Sequence, residues 1–346
     1  MHTHRLAFLT VAIALLSATA ASAQGTPAAT YHVVKKIAAG GEGGWDLLAV
    51  DTANERLFVS RGTHVMVVDL ARDSVVGDIT NTPGVHGIAI APELNRGFTS
   101  NGRDTSVTIF DLKTLAPIST IKVTGRNPDA ITYDPFSHRV FSFNAASNNA
   151  TAIDARSGTV SGTIDLGGKP ELAVSDGAGT MYVNLEDKSE VVAFDPVGLT
   201  VKSHWSIAPC EEPTGIAIDR VTHRVFSACG NKLMSVLDVT TGHVVTTVPI
   251  GQGVDGADFD SGTRLAFSSN GEGSLTLIHE DSPDKFTVIG TVPTQRGART
   301  VVLDPKTHRI YTVSAQFGPP PAPTPERPNP RPAPIPGSFM VLVLDR

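Results

Sequence analysis

A short segment that alternates apolar and small residues recurs seven times along the chain, at intervals of 40 to 44 residues. Three further runs rich in valine, isoleucine, threonine and phenylalanine follow each copy, and turn-forming residues separate them, as in strands joined by hairpins. Seven units of four strands predict an all-β chain folded as a seven-bladed β-propeller. The copies that start the blades are WDLLAVD from Trp45, VHGIAIA from Val85, PDAITYD from Pro128, PELAVSD from Pro170, PTGIAID from Pro213, VDGADFD from Val254 and ARTVVLD from Ala298.

The two ends of the repeat array complement each other. The chain ends in SFMVLVLDR, which matches the third strand of a unit and has no fourth strand after it. Residues 31–40, YHVVKKIAAG, resemble the fourth-strand segment GHVVTTVPIG at 242–251. We therefore expect residues 31–40 to supply the outer strand of blade 7, so that the ring closes by strand pairing and residues 24–346 form one propeller.

Residues 1–23 have the features of a secretory signal peptide. Arg5 precedes the apolar run LAFLTVAIALLSATA, and the small residues Ala21 and Ala23 frame a cleavage site. We expect cleavage after Ala23 and a periplasmic or secreted mature protein. No later stretch is long and apolar enough to predict a membrane span.

The chain has two cysteines, Cys210 and Cys229. Cys210 lies in the loop that enters blade 5, and Cys229 lies at the end of the second strand of that blade. Because these two strands pair antiparallel, both cysteines come to the same edge of the blade. An exported protein folds in an oxidising compartment, so we predict a disulfide between them. The alternative is two separate thiols, one of them reactive.

Asp-x-x-x-His-Arg occurs three times, and its histidines, His138, His223 and His308, suggest either a metal site or a repeated turn. Each histidine follows the first strand of its own blade, so the three lie on a circle around the ring and cannot meet at one metal ion. We interpret the motif as a turn capped by aspartate. GQGVDG at 251–256 matches a dinucleotide-binding pattern only in its letters, because no helix follows it.

Polar residues precede the apolar part of every first strand. Since the first strands of a propeller run in one direction, these residues are expected to converge at one mouth of the central channel, as the default binding-site hypothesis. The alternative is a solvated ring that binds nothing. The ring consists of Asp46, His86, Asp129, Glu171, Thr214, Asp255 and Arg299, and nearby loops are expected to add Arg61, Asn101, Asn144 and Asn270.

The ring is rich in carboxylates, and the whole chain carries a formal charge of −6. Like charges brought together favour a bound cation or pairing with arginine, and we expect no other cofactor. An acidic mouth repels phosphates, which argues against nucleic acid as the ligand. We expect a monomer whose partner is a small molecule or an unidentified protein. A carboxylate beside His86 also suggests an alternative function, acid–base opening of a lactone or ester.

The repeated pattern around MSVLDVTTGHVVTTVPIGQG, at 234–253, resembles the YVTN-type repeat of YncE-like exported bacterial propellers. The resemblance covers nearly the whole mature chain. It implies the seven-bladed fold and export, and it favours a binding or scaffolding module. Related seven-bladed folds include lactone hydrolases and a lyase, so the resemblance implies a small-molecule hydrolase or lyase as the alternative. It assigns no catalytic residue to this chain.

Residues 318–337 contain ten prolines. This composition predicts an extended chain of polyproline type that joins the second and third strands of blade 7, on the same face as the ring. It is either a tolerated insertion in a surface loop or an arm that contacts a partner or covers the mouth.

Overall fold

A computed structural model describes residues 31–324 and 330–346 of the chain. The described residues form seven sheets, each of four antiparallel strands, and two short 3-10 helices, Pro92–Leu94 and Glu186–Lys188. The first strands of neighbouring blades contact one another in cyclic order, and the first strand of blade 7 contacts that of blade 1. The predicted seven-bladed β-propeller is confirmed.

The strands follow the predicted repeat. Blade 1 comprises β2 (Leu48–Asp51), β3 (Arg56–Ser60), β4 (Val65–Asp69) and β5 (Ser74–Ile79), and blade 2 comprises β6 (Val85–Ala91), β7 (Arg96–Asn101), β8 (Ser106–Asp111) and β9 (Pro117–Lys122). Blade 3 comprises β10 (Pro128–Asp134), β11 (Arg139–Asn144), β12 (Asn149–Asp154) and β13 (Val160–Asp165). Blade 4 comprises β14 (Pro170–Ser175), β15 (Met181–Leu185), β16 (Glu190–Asp195) and β17 (Thr200–Ser206). Blade 5 comprises β18 (Pro213–Asp219), β19 (Arg224–Cys229), β20 (Leu233–Asp238) and β21 (His243–Pro249). Blade 6 comprises β22 (Val254–Asp260), β23 (Leu265–Asn270), β24 (Ser274–Ser282) and β25 (Lys285–Pro293). Blade 7 comprises β26 (Val301–Asp304), β27 (Arg309–Ser314), β28 (Met340–Asp345) and β1 (His32–Ala38).

The ring closes through β1, the outer strand of blade 7. This strand pairs antiparallel with β28, with His32 opposite Asp345 and Ala38 opposite Met340. The predicted closure by the segment at 31–40 is therefore confirmed. The predicted signal peptide, residues 1–23, and its cleavage site lie outside the described residues.

The core between the blades is built on an aromatic residue in the middle of the second strand. All seven blades have phenylalanine or tyrosine at this position, and in blade 4 it is Tyr182, which lies opposite Val174 as Phe141 lies opposite Thr132. All of these side chains are buried, which removes large apolar surfaces from water and explains why the second strands are the least exposed. The seven aromatic residues are Phe58, Phe98, Phe141, Tyr182, Phe226, Phe267 and Tyr311.

The three Asp-x-x-x-His-Arg motifs form turns, as predicted. In the first motif, an Asp134 carboxylate oxygen accepts a hydrogen bond from the Ser137 backbone N–H at 2.9 Å. The histidine of each motif adopts a left-handed conformation, with φ of 54° at His138, 57° at His223 and 61° at His308. Histidine tolerates this region at a single position when a capped turn requires it. These residues shape the turn at the end of each first strand.

The described parts of the proline-rich segment are anchored at their base. The Gly318 N–H donates to the Ala333 carbonyl at 3.0 Å, and the Ile335 N–H donates to the Gln316 carbonyl at 2.7 Å. The two ends of the segment therefore pair with each other, which an extended polyproline chain alone does not predict. Within residues 31–324 and 330–346, no helix is long and apolar enough to cross a membrane.

The predicted disulfide is present. Cys210 and Cys229 are bonded, with their Cα atoms 5.7 Å apart and a sequence separation of 19. Both side chains are fully buried. Cys229 pairs with Pro213 at the start of the first strand of blade 5, and Cys210 lies just before that strand. The bond therefore ties the entry loop of the blade to its second strand.

Breaking the disulfide is expected to lower the free energy of unfolding by about 3 kcal/mol, because the bond restricts a loop of this length in the unfolded chain. Denaturant unfolding of Cys229→Ala and of the double variant Cys210→Ala/Cys229→Ala measures the loss. Since either substitution already removes the bond, the two losses should be nearly equal. Two labelled thiols per chain in the unreduced, denatured wild type would contradict the bond.

Candidate ligand-binding site at the channel mouth

The ring side chains lie where the first strands are irregular. In blades 2 to 6 the pairing of the first and second strands shifts register directly beside the ring position. In blades 1 and 7 the ring residues, Asp46 and Arg299, lie two residues before the strand begins. A register shift leaves residues outside the ladder and redirects their side chains. The chain can therefore place polar groups at the mouth without disrupting the apolar strands below.

Asp46 is the centre of an ion-pair network that spans the junction of blades 6, 7, 1 and 2. One oxygen, Oδ2, lies 2.7 Å from His86 Nδ1, and the other, Oδ1, lies 3.3 Å from Arg299 Nη2. The same guanidinium contacts Asp255, with Nε 2.7 Å from Oδ2. The Thr300 hydroxyl donates to the Asp46 backbone carbonyl at 3.0 Å. Four of the predicted ring residues are thus joined directly.

Asp129 lies on the other side of His86 and is poorly paired. Its Oδ1 is 3.6 Å from His86 Nδ1, which is beyond hydrogen-bond distance. One ligand atom each from Asp46, His86 and Asp129 lies within 4.8 Å of the other two. Two carboxylate oxygens and an imidazole nitrogen are suitable donors for a divalent cation. Among the described residues, these three form the group whose ligand atoms are close enough together to hold a metal ion.

Glu171 has a partner that the sequence analysis did not include. Lys169 Nζ lies 2.9 Å from Glu171 Oε1 and also forms an ion pair with Glu186. Lys169 lies two residues before Glu171 in the sequence. Glu186 begins the 3-10 helix that follows the second strand of blade 4, and the pairing of the strands brings it to the same ammonium group. The remaining ring residue, Thr214, donates its hydroxyl to the Val254 carbonyl at 3.3 Å.

Burial disfavours the charged form of the mouth carboxylates. It raises the pKa of Asp255 to about 6, although the Arg299 guanidinium acts in the opposite direction. It raises the pKa of Glu171 to about 8, in spite of the hydrogen bond from Lys169. It also raises the pKa of Asp129 above its usual range. The hydrogen bond with Asp46 raises the pKa of His86, although burial acts in the opposite direction.

Cavities lie above and below this network. An apolar cavity of about 150 Å³ lies in the channel, between first-strand residues that include Leu47, Ile131 and Leu172. Two larger cavities open at the mouth and share Trp45 in their walls. One, of about 490 Å³, includes Asp46 and His86, and the other, of about 580 Å³, includes Asp255 and Arg299. Polar groups above an apolar floor are typical of small-molecule sites.

Arg61 does not line the mouth as expected. Its side chain is 1% exposed and donates to the backbone carbonyls of residues 40, 42, 43 and 44 at 3.0 to 3.2 Å. Its guanidinium carbon lies 3.7 Å from the centre of the Phe339 ring. Arg61 therefore fastens the glycine-rich linker between β1 and blade 1, and its burial lowers its pKa to about 10.

The expected loop asparagines are also buried and committed to hydrogen bonds within their own blades. Each donates its side-chain amide to a serine or threonine hydroxyl of the third strand: Asn101 to Thr108 at 2.9 Å, Asn144 to Thr151 at 3.0 Å and Asn270 to Thr276 at 3.0 Å. Position in a loop does not determine side-chain direction, and in these blades the amide turns inward to satisfy buried hydroxyls. These residues stabilise the turn and do not line the mouth.

Comparison with known proteins identifies the fold. No family model matches the chain, and no curated protein matches it. Solved structures do match, 1843 chains in all, which shows how widely the architecture is used. One is a chain of Kuenenia stuttgartiensis hydrazine synthase, with a TM-score of 0.68 and 16% identity over 79% of this chain and 93% of that chain. Another is a chain of the mitotic checkpoint complex, with a TM-score of 0.72 and 15% identity over 88% and 96%. The similarity shows the fold alone.

The raised pKa of Asp129 leads to a prediction about stability. Because burial raises the pKa of Asp129 in the folded state, the unfolded state ionises first as the pH rises, so the wild type loses stability between the ordinary pKa of aspartate and the folded pKa. Asp129→Asn avoids this loss and should unfold at an equal or higher temperature at pH 7, by roughly one or two degrees, with a smaller difference at pH 4.

Asp111→Asn is the matched comparison. Asp111 accepts hydrogen bonds from the Thr114 and Lys113 backbone N–H groups, which lower its pKa. Its charged form stabilises the fold above its unfolded pKa, so this variant should lose stability at pH 7. Thermal unfolding of both variants at the two pH values checks the signs. A clear destabilisation by Asp129→Asn at pH 7 would mean that Asp129 is a structural residue.

Proposed function

We propose that this chain is an exported propeller of the YncE-like type that binds a small ligand at the polar mouth of its channel. Three features support export and this type: the signal-peptide pattern at 1–23, the YVTN-like repeat at 234–253, and a disulfide, which is typical of oxidising compartments such as the periplasm. Because a propeller serves many tasks, the ligand has to be argued from the mouth itself.

The incomplete pairing of Asp129 is the observation that carries the proposal. Arg299 compensates Asp46 and Asp255, and Lys169 is shared by Glu171 and Glu186. Among the described residues, Asp129 has one ion-pair partner, His86, at 3.6 Å, and His86 is already hydrogen-bonded to Asp46. A positively charged group placed between these side chains would compensate Asp129 and offset the burial that raises its pKa.

The ligand therefore carries positive charge, either as a divalent metal ion or as a protonated amine of a small organic molecule. A metal ion would bind the imidazole nitrogen and the two carboxylate oxygens directly. An amine would donate hydrogen bonds to the carboxylates and leave His86 protonated. Both use the same residues, and experiment distinguishes them.

Isothermal titration of the mature protein with Mn²⁺ and, separately, with putrescine tests this function. We expect one of the two to bind, and Asp129→Asn to weaken that binding about tenfold or more, because it removes a charged partner. Asp73→Asn is the control, since Asp73 is a carboxylate in the turn before the outer strand of blade 1, where it pairs with Lys35. No binding of either probe, or an equal loss in the control, would contradict the proposal.

A hydrolase or lyase of lactones or esters is the second candidate, and the hydrogen bond between His86 and Asp46 favours it. A carboxylate that orients an imidazole is a common arrangement in acid–base catalysis. The other ring nitrogen, Nε2, packs close to Gly102, where an added Cβ would lie 2.8 Å from it. Glu171, with a pKa of about 8, would be the proton donor.

Turnover of a panel of simple lactones and aryl esters tests the second candidate. If the chain is such an enzyme, His86→Gln abolishes turnover and leaves thermal unfolding nearly unchanged, because the half-exposed ring adds little to stability. Turnover that persists in His86→Gln would place the chemistry elsewhere. No turnover by the wild type would leave the binding function as the better account.

A further inference from the structure

The wall of the largest cavity at the mouth is rich in arginine, so its charge is opposite to that of Asp129. The cavity has a volume of about 580 Å³ and lies between the mouth and the base of the proline-rich segment. Its main side chains are those of Trp45, Asp255, Arg296, Arg299, Phe317 and Arg331. Three guanidinium groups and one carboxylate thus face one cavity, in a chain whose formal charge is −6.

Two of these arginines have no ion-pair partner among the described residues. Arg299 is committed to Asp46 and Asp255. Among residues 31–324 and 330–346, no carboxylate forms an ion pair with Arg296 or Arg331, and both side chains are exposed. Their charges repel each other and that of Arg299, so an anion in the cavity would be attracted by all three. Guanidinium groups bind carboxylates with paired hydrogen bonds, which makes arginine the residue best suited to such an anion.

Aromatic side chains lie beside the guanidinium groups of this cavity. The Trp45 ring lies 6.1 Å from the Phe317 ring and 5.4 Å from the Phe339 ring, between centroids. Phe317 lies against Gly297, where an added Cβ would come within 2.8 Å of its ring, and Gly297 has φ of 87°. Arg296 lies 5.9 Å from the centre of the Phe317 ring. A flat apolar body therefore has two aromatic faces to contact beside the guanidinium groups.

We propose that this cavity binds a small organic carboxylate with an aromatic or other planar apolar body, its carboxylate at Arg296 and Arg331 and its body against Trp45 and Phe317. The site differs from the cation site of the proposed function, because it uses the other cavity and the opposite charge. Trp45 lines both cavities, so each ligand would contact this residue.

Titration of the full-length mature protein with naphthoate tests the proposal, with calorimetry and the quenching of tryptophan fluorescence as readouts. Binding should weaken with added salt, and the uncharged naphthamide and the cationic naphthylmethylamine should bind much more weakly. The double variant Arg296→Gln/Arg331→Gln should lose about tenfold or more in affinity, because charge-assisted hydrogen bonds are removed. Both side chains are exposed, so the variant should keep the thermal unfolding of the wild type.

Arg103→Gln is the matched control, since Arg103 is an exposed arginine in the wall of the other mouth cavity. It should change naphthoate affinity less than about twofold, whereas Phe317→Ala should weaken it. Asp129→Asn should leave naphthoate binding intact, which separates this proposal from the cation site. The proposal is overturned if naphthoate does not bind, if naphthamide binds equally well, or if Arg103→Gln weakens binding as much as the double variant.

Discussion

The pairing of β1 with β28 is the interaction on which the rest of the structure depends. It joins the two ends of the repeat array, so that every sheet has four strands and every blade has a neighbour on both sides. It also determines the mouth. Asp46 and Arg299 are 253 residues apart in the sequence, yet their side chains lie 3.3 Å apart because blade 7 contacts blade 1. Without closure, blades 7 and 1 would not be held together, and the ion pair between Arg299 and Asp46 would not form.

Closure has an electrostatic consequence as well. The network that crosses the junction neutralises Asp46 and Asp255 through one guanidinium, and it leaves Asp129 on one side and Arg296 and Arg331 on the other without full compensation. Trp45 lines both of the cavities at the mouth. The half-buried charge of Asp129 lowers stability where the protein does not compensate it, and a cation would recover that loss, whereas the exposed arginines would attract an anion by charge alone. The mouth is thus divided into an acidic part and a basic part.

The fold was predictable because its signal is repeated. Seven copies of one pattern average out local ambiguity, and the same register predicts the closing strand, the turn at His138 and the disulfide between Cys210 and Cys229. The ring positions could be counted from the repeat for the same reason: equivalent residues of a symmetric fold converge. Asp46, His86, Asp255 and Arg299 meet because closure brings the last blade beside the first.

Side-chain direction and contacts between repeats could not be predicted in this way. Arg61 and Asn101 occupy loops near the mouth, yet both turn into the protein because buried carbonyl and hydroxyl groups need partners. Lys169 pairs with both Glu171 and Glu186, and the sequence separation of the two glutamates gives no sign of this shared partner. The basic cavity depends on the base of the proline-rich segment, where Phe317 and Arg331 come together through backbone pairing that no repeat encodes.

Comparing the unfolding of three chains tests the central claim, that the ladder between β1 and β28 holds the ring together. The first chain is the mature protein, and the second lacks residues 31–40. In the third chain, residues 31–40 are moved from the N-terminal end to a position after Arg346, and a hairpin linker of about four residues joins them to it. A linker of this length suffices because His32 lies opposite Asp345. We expect cooperative unfolding in denaturant with nearly equal midpoints for the first and third chains, and no such transition for the second. A second chain that unfolds with the midpoint and cooperativity of the mature protein would contradict the claim.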